Sequence, residues 1–148
     1  TGRLETANSA LKDNLKTWLN RYRMINDTID ILDAKVANIG IEFEVVSDGT
    51  NRFDVLDEAT STLQSKFNRD FFIGERLKIT DIYTALNSAR GVSDVTKVKI
   101  TNKSGGRYAQ TSFNVDNHMS ADGRYIAVPD NVALEIKFPG TDIRGSVK

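Results

Sequence analysis

Apolar positions recur at Leu4, Leu11, Leu15, Trp18, Leu19 and Tyr22, in steps of three, four and seven, while Lys12, Asp13, Lys16, Asn20 and Arg23 fall on the opposite side. This spacing predicts one apolar stripe along an amino-terminal helix of about five turns. Such a stripe docks either on the domain's own sheet or on a helix of another chain, as in a coiled coil. From Ile29 the period changes to two. A short strand is expected at 29–32, and then a longer one with Ile39, Ile41, Phe43 and Val45 on one face and Gly40, Glu42 and Glu44 on the other.

The residues SDGTN at 47–51 are turn chemistry, with Gly49 free to take positive φ. A second helix is predicted at about 53–68, with Val55, Leu56, Ala59, Leu63 and Phe67 as its core face. Asp54, Asp57 and Glu58 complement the positive end of its macrodipole, and Lys66 and Arg69 lie near its negative end. Thr80 is placed to cap a third helix whose narrow apolar face is Ile82, Ala85, Leu86 and Ala89. Gly91 fits the left-handed residue that stops it. After Gly91, Thr96, Val98 and Ile100 alternate with Lys97 and Lys99 as a strand.

Ser104, Gly105 and Gly106 suit a hairpin turn, and Ala109, Thr111, Phe113 and Val115 alternate after it, so a β-hairpin arm is expected. DNHMSADG at 116–123 reads as a loop. Two strands, 125–128 and 132–138, are joined by PDN, and Val132, Leu134, Ile136 and Phe138 share a face of the second. The predicted fold class is therefore α+β. It has a mixed or mainly antiparallel sheet, two or three helices over one face, the amino-terminal amphipathic helix and the β arm. Residues 1–25 form the helix continuing from a preceding region, 26–140 the α+β domain, and 141–148 a polar, poorly ordered tail. Glu42 with Glu44, Lys97 with Lys99, and Glu135 with Lys137 all fall opposite the apolar positions, which predicts one dry and one charged sheet face.

Composition narrows the function classes. The 148 residues carry twenty Lys plus Arg against twenty Asp plus Glu. Zero formal charge gives no electrostatic footprint for nucleic acid or an anionic membrane, and it removes the mutual repulsion that keeps molecules apart. Neither nucleic acid nor membrane is expected as a partner, and self-association is. The absence of cysteine excludes disulfides, thiolate zinc sites and cysteine nucleophiles, and fits an intracellular origin. No apolar run approaches the roughly 20 residues that span a bilayer. The start TGRLETANSA has neither an initiating Met nor a signal-peptide core, and reads as a piece of something longer.

Candidate chemistry is sparse. Glu42 and Glu44 project from one strand face about 7 Å apart, which suits a carboxylate pair or a solvated strand face; nothing nearby suggests the apolar pocket that an acid catalyst needs. His118, the only histidine, has no motif partner. Neither SDGTNRFD nor DNHMSADG keeps the ligand register of a calcium loop, and Gly105 with Gly106 lack the GxxxxGK context of a phosphate cradle. No catalytic residue, metal or cofactor is expected. Phe71 and Phe72 suit either a binding hot spot or a helix end turning into the core. A carbohydrate- or receptor-binding reading would use Tyr108, Phe113 and Tyr125 as stacking surfaces.

The order of segments from Leu15 to Ile100 resembles the carboxy-terminal part of the baseplate J family of contractile phage tails. The resemblance lies in NRYRMINDTIDILDA, VANIGIEFEVV, DGTNRFDVLDEA, IGERLKITDIYTAL and GVSDVTKVKI. The family's glycine, Leu, Ser or Thr cap and GV pattern falls here on Gly74, Leu77, Thr80, Ile82, Gly91 and Val92, and covers over half the chain. It implies a structural component that connects baseplate wedges into the ring around the tail hub, in a virion tail assembled in the host cytoplasm. It also implies no catalysis, a homodimer, and other baseplate wedge proteins as partners. Leu15, Trp18, Leu19, Tyr22, Phe71 and Phe72 are the expected interface residues. The segment 102–124 is longer than the simple family pattern.

Overall fold

The computed structural model describes residues 4–148. Its centre is one long strand, β1 (Lys35–Ser47), whose alternation is the one expected: Ile39, Ile41, Phe43 and Val45 are buried, joined by Ala37. After the turn at Gly49 (φ +109°) comes helix α2 (Arg52–Lys66). The Asn51 side chain caps it by accepting the Phe53 amide at 3.0 Å. Val55, Ala59, Leu63 and the flanking Phe67 are buried, each large side chain contributing about 1.5–3 kcal/mol of transfer free energy. Strand β2 (Leu77–Lys78) leads into helix α3 (Ile79–Ser88), and Gly91 (φ +86°) turns the chain into β3 (Val92–Lys103).

The four-stranded sheet is mixed. β3 runs antiparallel along one side of β1. Along the other side lie two short strands in series, β5 (Val132–Glu135) beside the first half of β1 and β6 (Ile143–Val147) beside the second, both parallel to it. One turn of helix, α5 (Pro139–Asp142), separates them. A second, two-stranded sheet pairs β2 with β4 (Tyr125–Ile126), and a single helical turn, α4 (Val115–His118), precedes it. Helices α2 and α3 share the core with the inner sheet face.

The outer face carries the expected charge rows, with Glu42 opposite Lys99 and Arg144, and Glu44 opposite Lys97. Exposed pairs of this kind contribute about 0 to 1 kcal/mol, so Lys97→Ala is expected to leave the denaturation midpoint nearly unchanged. Val98 packs against the core on the Phe43 face. Val98→Asp places an unpaired charge there and is expected to unfold the domain, seen as loss of the cooperative transition. A folded Val98→Asp protein of near-native stability would overturn that assignment of faces.

Several elements differ from the sequence expectations. The amino-terminal helix, α1 (Ser9–Leu19), has about three turns, not five, because Asn8 caps it and tightened i→i+3 bonds at Arg21 and Tyr22 end it. Leu4 lies outside it, its amide donating to Glu135 at 2.8 Å. Residues 29–32 belong to no strand. Thr80 does not cap α3. It sits inside the first turn, and the helix's opening amides at Ile79 and Thr80 both donate to the Arg124 carbonyl, which the β2–β4 pairing brings there. Thr96 faces outward because a bulge lets Glu44 pair with Lys97 while Val45 pairs with Val95. The tail at 141–148 is no tail: Ile143 and Val147 alternate as β6, and Gly145 leaves room for the Phe43 ring, onto which any Cβ would fall.

The β arm is replaced by a strap. Residues 104–114 keep the predicted alternation, with Phe113 buried and Ala109 and Thr111 half-buried, but make no ladder. Side chains hold it instead. The Ala109 amide donates to Asn38 Oδ1 at 2.7 Å and the Phe113 amide to Asn102 Oδ1 at 3.1 Å. The register puts Asn38 on the outer face with Glu42, and Asn102 on the inner face with Ile39. The strap therefore wraps the end of the sheet and covers Asn38, while Gly40 lies under Asp142 and the side chains of Thr101 and Lys103, and Glu42 stays outside.

Candidate functional site

Helix α1 is amphipathic, with Lys12 and Lys16 on one side, yet it buries none of its own residues. Leu11 and Leu15 stay exposed, Trp18 is 51% exposed and Tyr22, just past the helix, 72%. The two rings touch, with centroids 5.1 Å apart. Leu19 is half-buried. The positions 11, 15, 18 and 22 step by four, three and four, the narrow seam of a helix that meets another helix. Of the two dockings open to this stripe, the domain's own sheet is not the one taken.

Phe71 and Phe72 part company. Phe71 is 4% exposed, stacked on Phe67 with centroids 6.1 Å apart and covered by the Arg69 guanidinium at 4.8 Å. It belongs to the core, which removes it from the expected interface. Phe72 points the other way and is 79% exposed, next to the exposed Ile73. The loop that carries them is stiffened from beneath. Arg69 donates to both Glu75 oxygens, at 3.1 and 2.6 Å, and the Phe72 amide donates to Glu75 Oε1 at 3.3 Å. Gly74 (φ +75°) closes the turn and donates to the Val132 carbonyl at 2.8 Å. Sequence reasoning missed Ile73, and also Met24, Ile25, Leu32 and Phe53, all exposed. In a one-dimensional pattern these look like core.

The Arg69 hydrogen bonds, reinforced by the Phe72 amide, hold the Glu75 carboxyl below its ordinary 4.5, while burial opposes them. A depressed folded value means that this support is complete above pH 4.5 and is lost as the pH falls through the folded value. The Phe72 amide resonance is therefore expected to move on acidification below pH 4.5, and Glu75→Gln to abolish that movement. An unchanged titration in the Gln variant would show that another group is responsible.

The other candidate groups are engaged in structure. Glu44 is held below its ordinary value chiefly by Lys148, whose ammonium lies 3.1 Å away, and by Thr96, the opposite of the shift an acid catalyst needs. His118 stacks on Phe113 at 4.4 Å, its Nδ1 2.7 Å from the Asn114 carbonyl oxygen. Tyr108 meets Phe138 edge-on and donates its hydroxyl to buried Asp142 at 2.6 Å, a bond that pushes the phenol's pKa up. Tyr125 lies under Arg76 at 4.9 Å. Tyr108, Phe113 and Tyr125 thus form no open stacking platform beside the 116–123 loop. Among the described residues, no group of three or more His, Asp or Glu side chains could hold a metal, and no helix is long and apolar enough to cross a membrane. Neither a family model nor a curated protein matches the chain.

Proposed function

We propose that this chain is a structural domain of a contractile-tail baseplate wedge, of the kind found in the wedge ring of T4-type myophages. On this reading it joins wedges around the hub by self-association and by contact with neighbouring wedge proteins, and it performs no catalysis. The observation that carries the self-association is α1, a helix whose apolar seam finds no cover within its own domain. The stiff loop presenting Phe72 and Ile73 adds a second apolar contact point, and zero net charge favours association. The assignment to a baseplate comes from the sequence resemblance. A specific dimer would bury on the order of 1,200 Å² or more, with aromatic and aliphatic anchors at its centre. Trp18 and Tyr22 are those anchors here.

Sedimentation at micromolar concentration is expected to show a dimer, and the double variant Trp18→Ala, Tyr22→Ala to weaken it by about 30-fold or more, the effect of losing a hot spot of roughly 2 kcal/mol. A strictly monomeric wild-type chain would sink the self-association. A dimer indifferent to both substitutions would move the interface away from α1.

A further inference from the structure

The outer sheet face sorts its charges into rows. The edge strand β3 carries Lys97, Lys99 and Lys103 on that face, β1 beside it carries Glu42 and Glu44, and β6 beyond them carries Arg144. The β6 side is engaged within the fold: Arg144 donates to the Thr141 carbonyl at 3.0 Å, and the neighbouring Lys148 lies 3.1 Å from Glu44. The β3 row is not. Glu44, opposite Lys97 in the register, is held instead by Lys148 and Thr96. Among the described residues Lys97, Lys99 and Lys103 make no hydrogen bond or ion pair, and Lys97 and Lys99 are exposed. The one acid on their own strand, Asp94, lies beyond the bulge and turns its carboxylate to the Val95 amide, 2.8 Å away.

Same-face residues of a strand lie about 6.8 Å apart, so Lys97, Lys99 and Lys103 take the first, second and fourth places of one line, with Thr101 at the third. An extended polypeptide with a carboxylate at every second residue repeats at the same interval. Laid along the row, it meets each ammonium with a carboxylate. Complementarity of this kind governs encounter rate and orientation more than raw affinity. Other occupants fit less well. Two-fold pairing of β3 with a second copy would set lysine beside lysine. A nucleic-acid duplex or a lipid surface is too broad to reach the row without also facing Glu42 and Glu44, one strand spacing of about 4.8 Å behind it. The outer face beside the row offers no aromatic ring on which the bases of a single strand could stack.

We propose that the β3 lysine row binds an extended acidic segment of a partner protein, with carboxylates at alternate residues. The contact is made by exposed side chains on the outer face and requires no open backbone. It is separate from α1 and independent of the baseplate reading, since the row is present whatever the chain joins.

The probe is the end-blocked peptide Glu-Thr-Glu-Thr-Glu-Thr-Glu, added to the unmodified chain at low salt. The amide resonances of 97–103 are expected to shift, with those of α1 unmoved. Lys97→Gln combined with Lys99→Gln should weaken binding about fivefold or more, whereas Lys66→Gln with Lys78→Gln, the same change of charge on α2 and β2, should weaken it less than about twofold. An unchanged denaturation midpoint confirms that both variants are folded. The isomer Glu-Glu-Glu-Glu-Thr-Thr-Thr, of equal charge, should bind at least about threefold more weakly, because only part of its carboxylates can share one face. No shift at millimolar peptide, or a Lys97, Lys99 variant that binds as the unmodified chain does, overturns the site. Equal affinity for the isomer overturns the match to an extended segment. Tighter binding of oligothymidylate or of phosphatidylserine vesicles, with the same dependence on the lysines, replaces the protein partner with a phosphate-bearing one. None of these results alters what sedimentation says about α1.

Discussion

Replacing Gly91 with valine is expected to destabilise the domain by about 2–5 kcal/mol. Two costs add. At φ +86° a β-branched side chain is strained, and the left-handed region costs about 1–2 kcal/mol for an ordinary residue. A Cβ built at Gly91 also lies 2.8 Å from Val55 Cγ2, a fully buried side chain of α2, and overpacking a core typically costs 1–3 kcal/mol more. The junction cannot shift freely, because the Gly91 carbonyl accepts the Asp48 amide at 3.0 Å and so ties the end of α3 to the turn after β1. Gly91→Ala meets the same Val55 atom and should show a smaller loss in the same direction. The measurement is urea denaturation, read as a lower midpoint at constant slope. A loss below about 1 kcal/mol for the valine variant would mean that α2 and α3 can separate cheaply, and that this junction is not rigid.

What the sequence made legible follows from how far each signal has to reach. The inner face of β1 could be read because Ile39, Ile41, Phe43 and Val45 carry their burial in their own spacing. Gly91 could be read because a helix stop followed at once by a strand leaves one residue to make the turn. The α3 start could not: the group that satisfies its amides is the carbonyl of Arg124, more than forty positions away and visible only once β2 pairs with β4. β6 was hidden because its outer positions are polar and its central one is Gly145, whose role is to make space for Phe43. Asn38 and Gly40 sit on the face that alternation assigns to solvent, and are buried because the strap binds Asn38 and Asp142, with Thr101 and Lys103, closes over Gly40.

The apolar residues of the candidate surface pose the reverse problem. Trp18, Phe72 and Ile73 have the chemistry of a core, and hydrophobic pattern alone cannot say whether the cover comes from the same chain or another. Phe71 and Phe72 show how local the answer is, since a single peptide unit separates a ring stacked on Phe67 from one in solvent. The Arg69–Glu75 pair that fixes this division spans six residues without helical continuity, and no periodicity marks it.

Replacing Asn38 with leucine is expected to cost about 2–4 kcal/mol and to release the strap. Asn38 donates to Glu135 Oε1 at 3.0 Å, accepts the Ala109 amide at 2.7 Å, and offers its carbonyl to the Asn102 side chain at 3.0 Å. Leucine keeps the volume, so a cavity is not the cause. It strands the Ala109 amide and removes one partner of a half-buried carboxylate, each worth about 1–3 kcal/mol when left unpaired. Glu135 also accepts the Leu4 amide, so the loss should extend to the amino-terminal segment. Hydrogen exchange is expected to rise at Ala109 and Phe113 before it rises in β1, which separates release of the strap from global unfolding. Asn38→Asp supplies the comparison: it keeps the acceptor for Ala109 and should retain more strap protection than leucine. If leucine costs less than about 1 kcal/mol and Ala109 stays protected, the strap is held by its other contacts, Phe113 with Asn102 and Tyr108 with Asp142, and the buried asparagine only fills space.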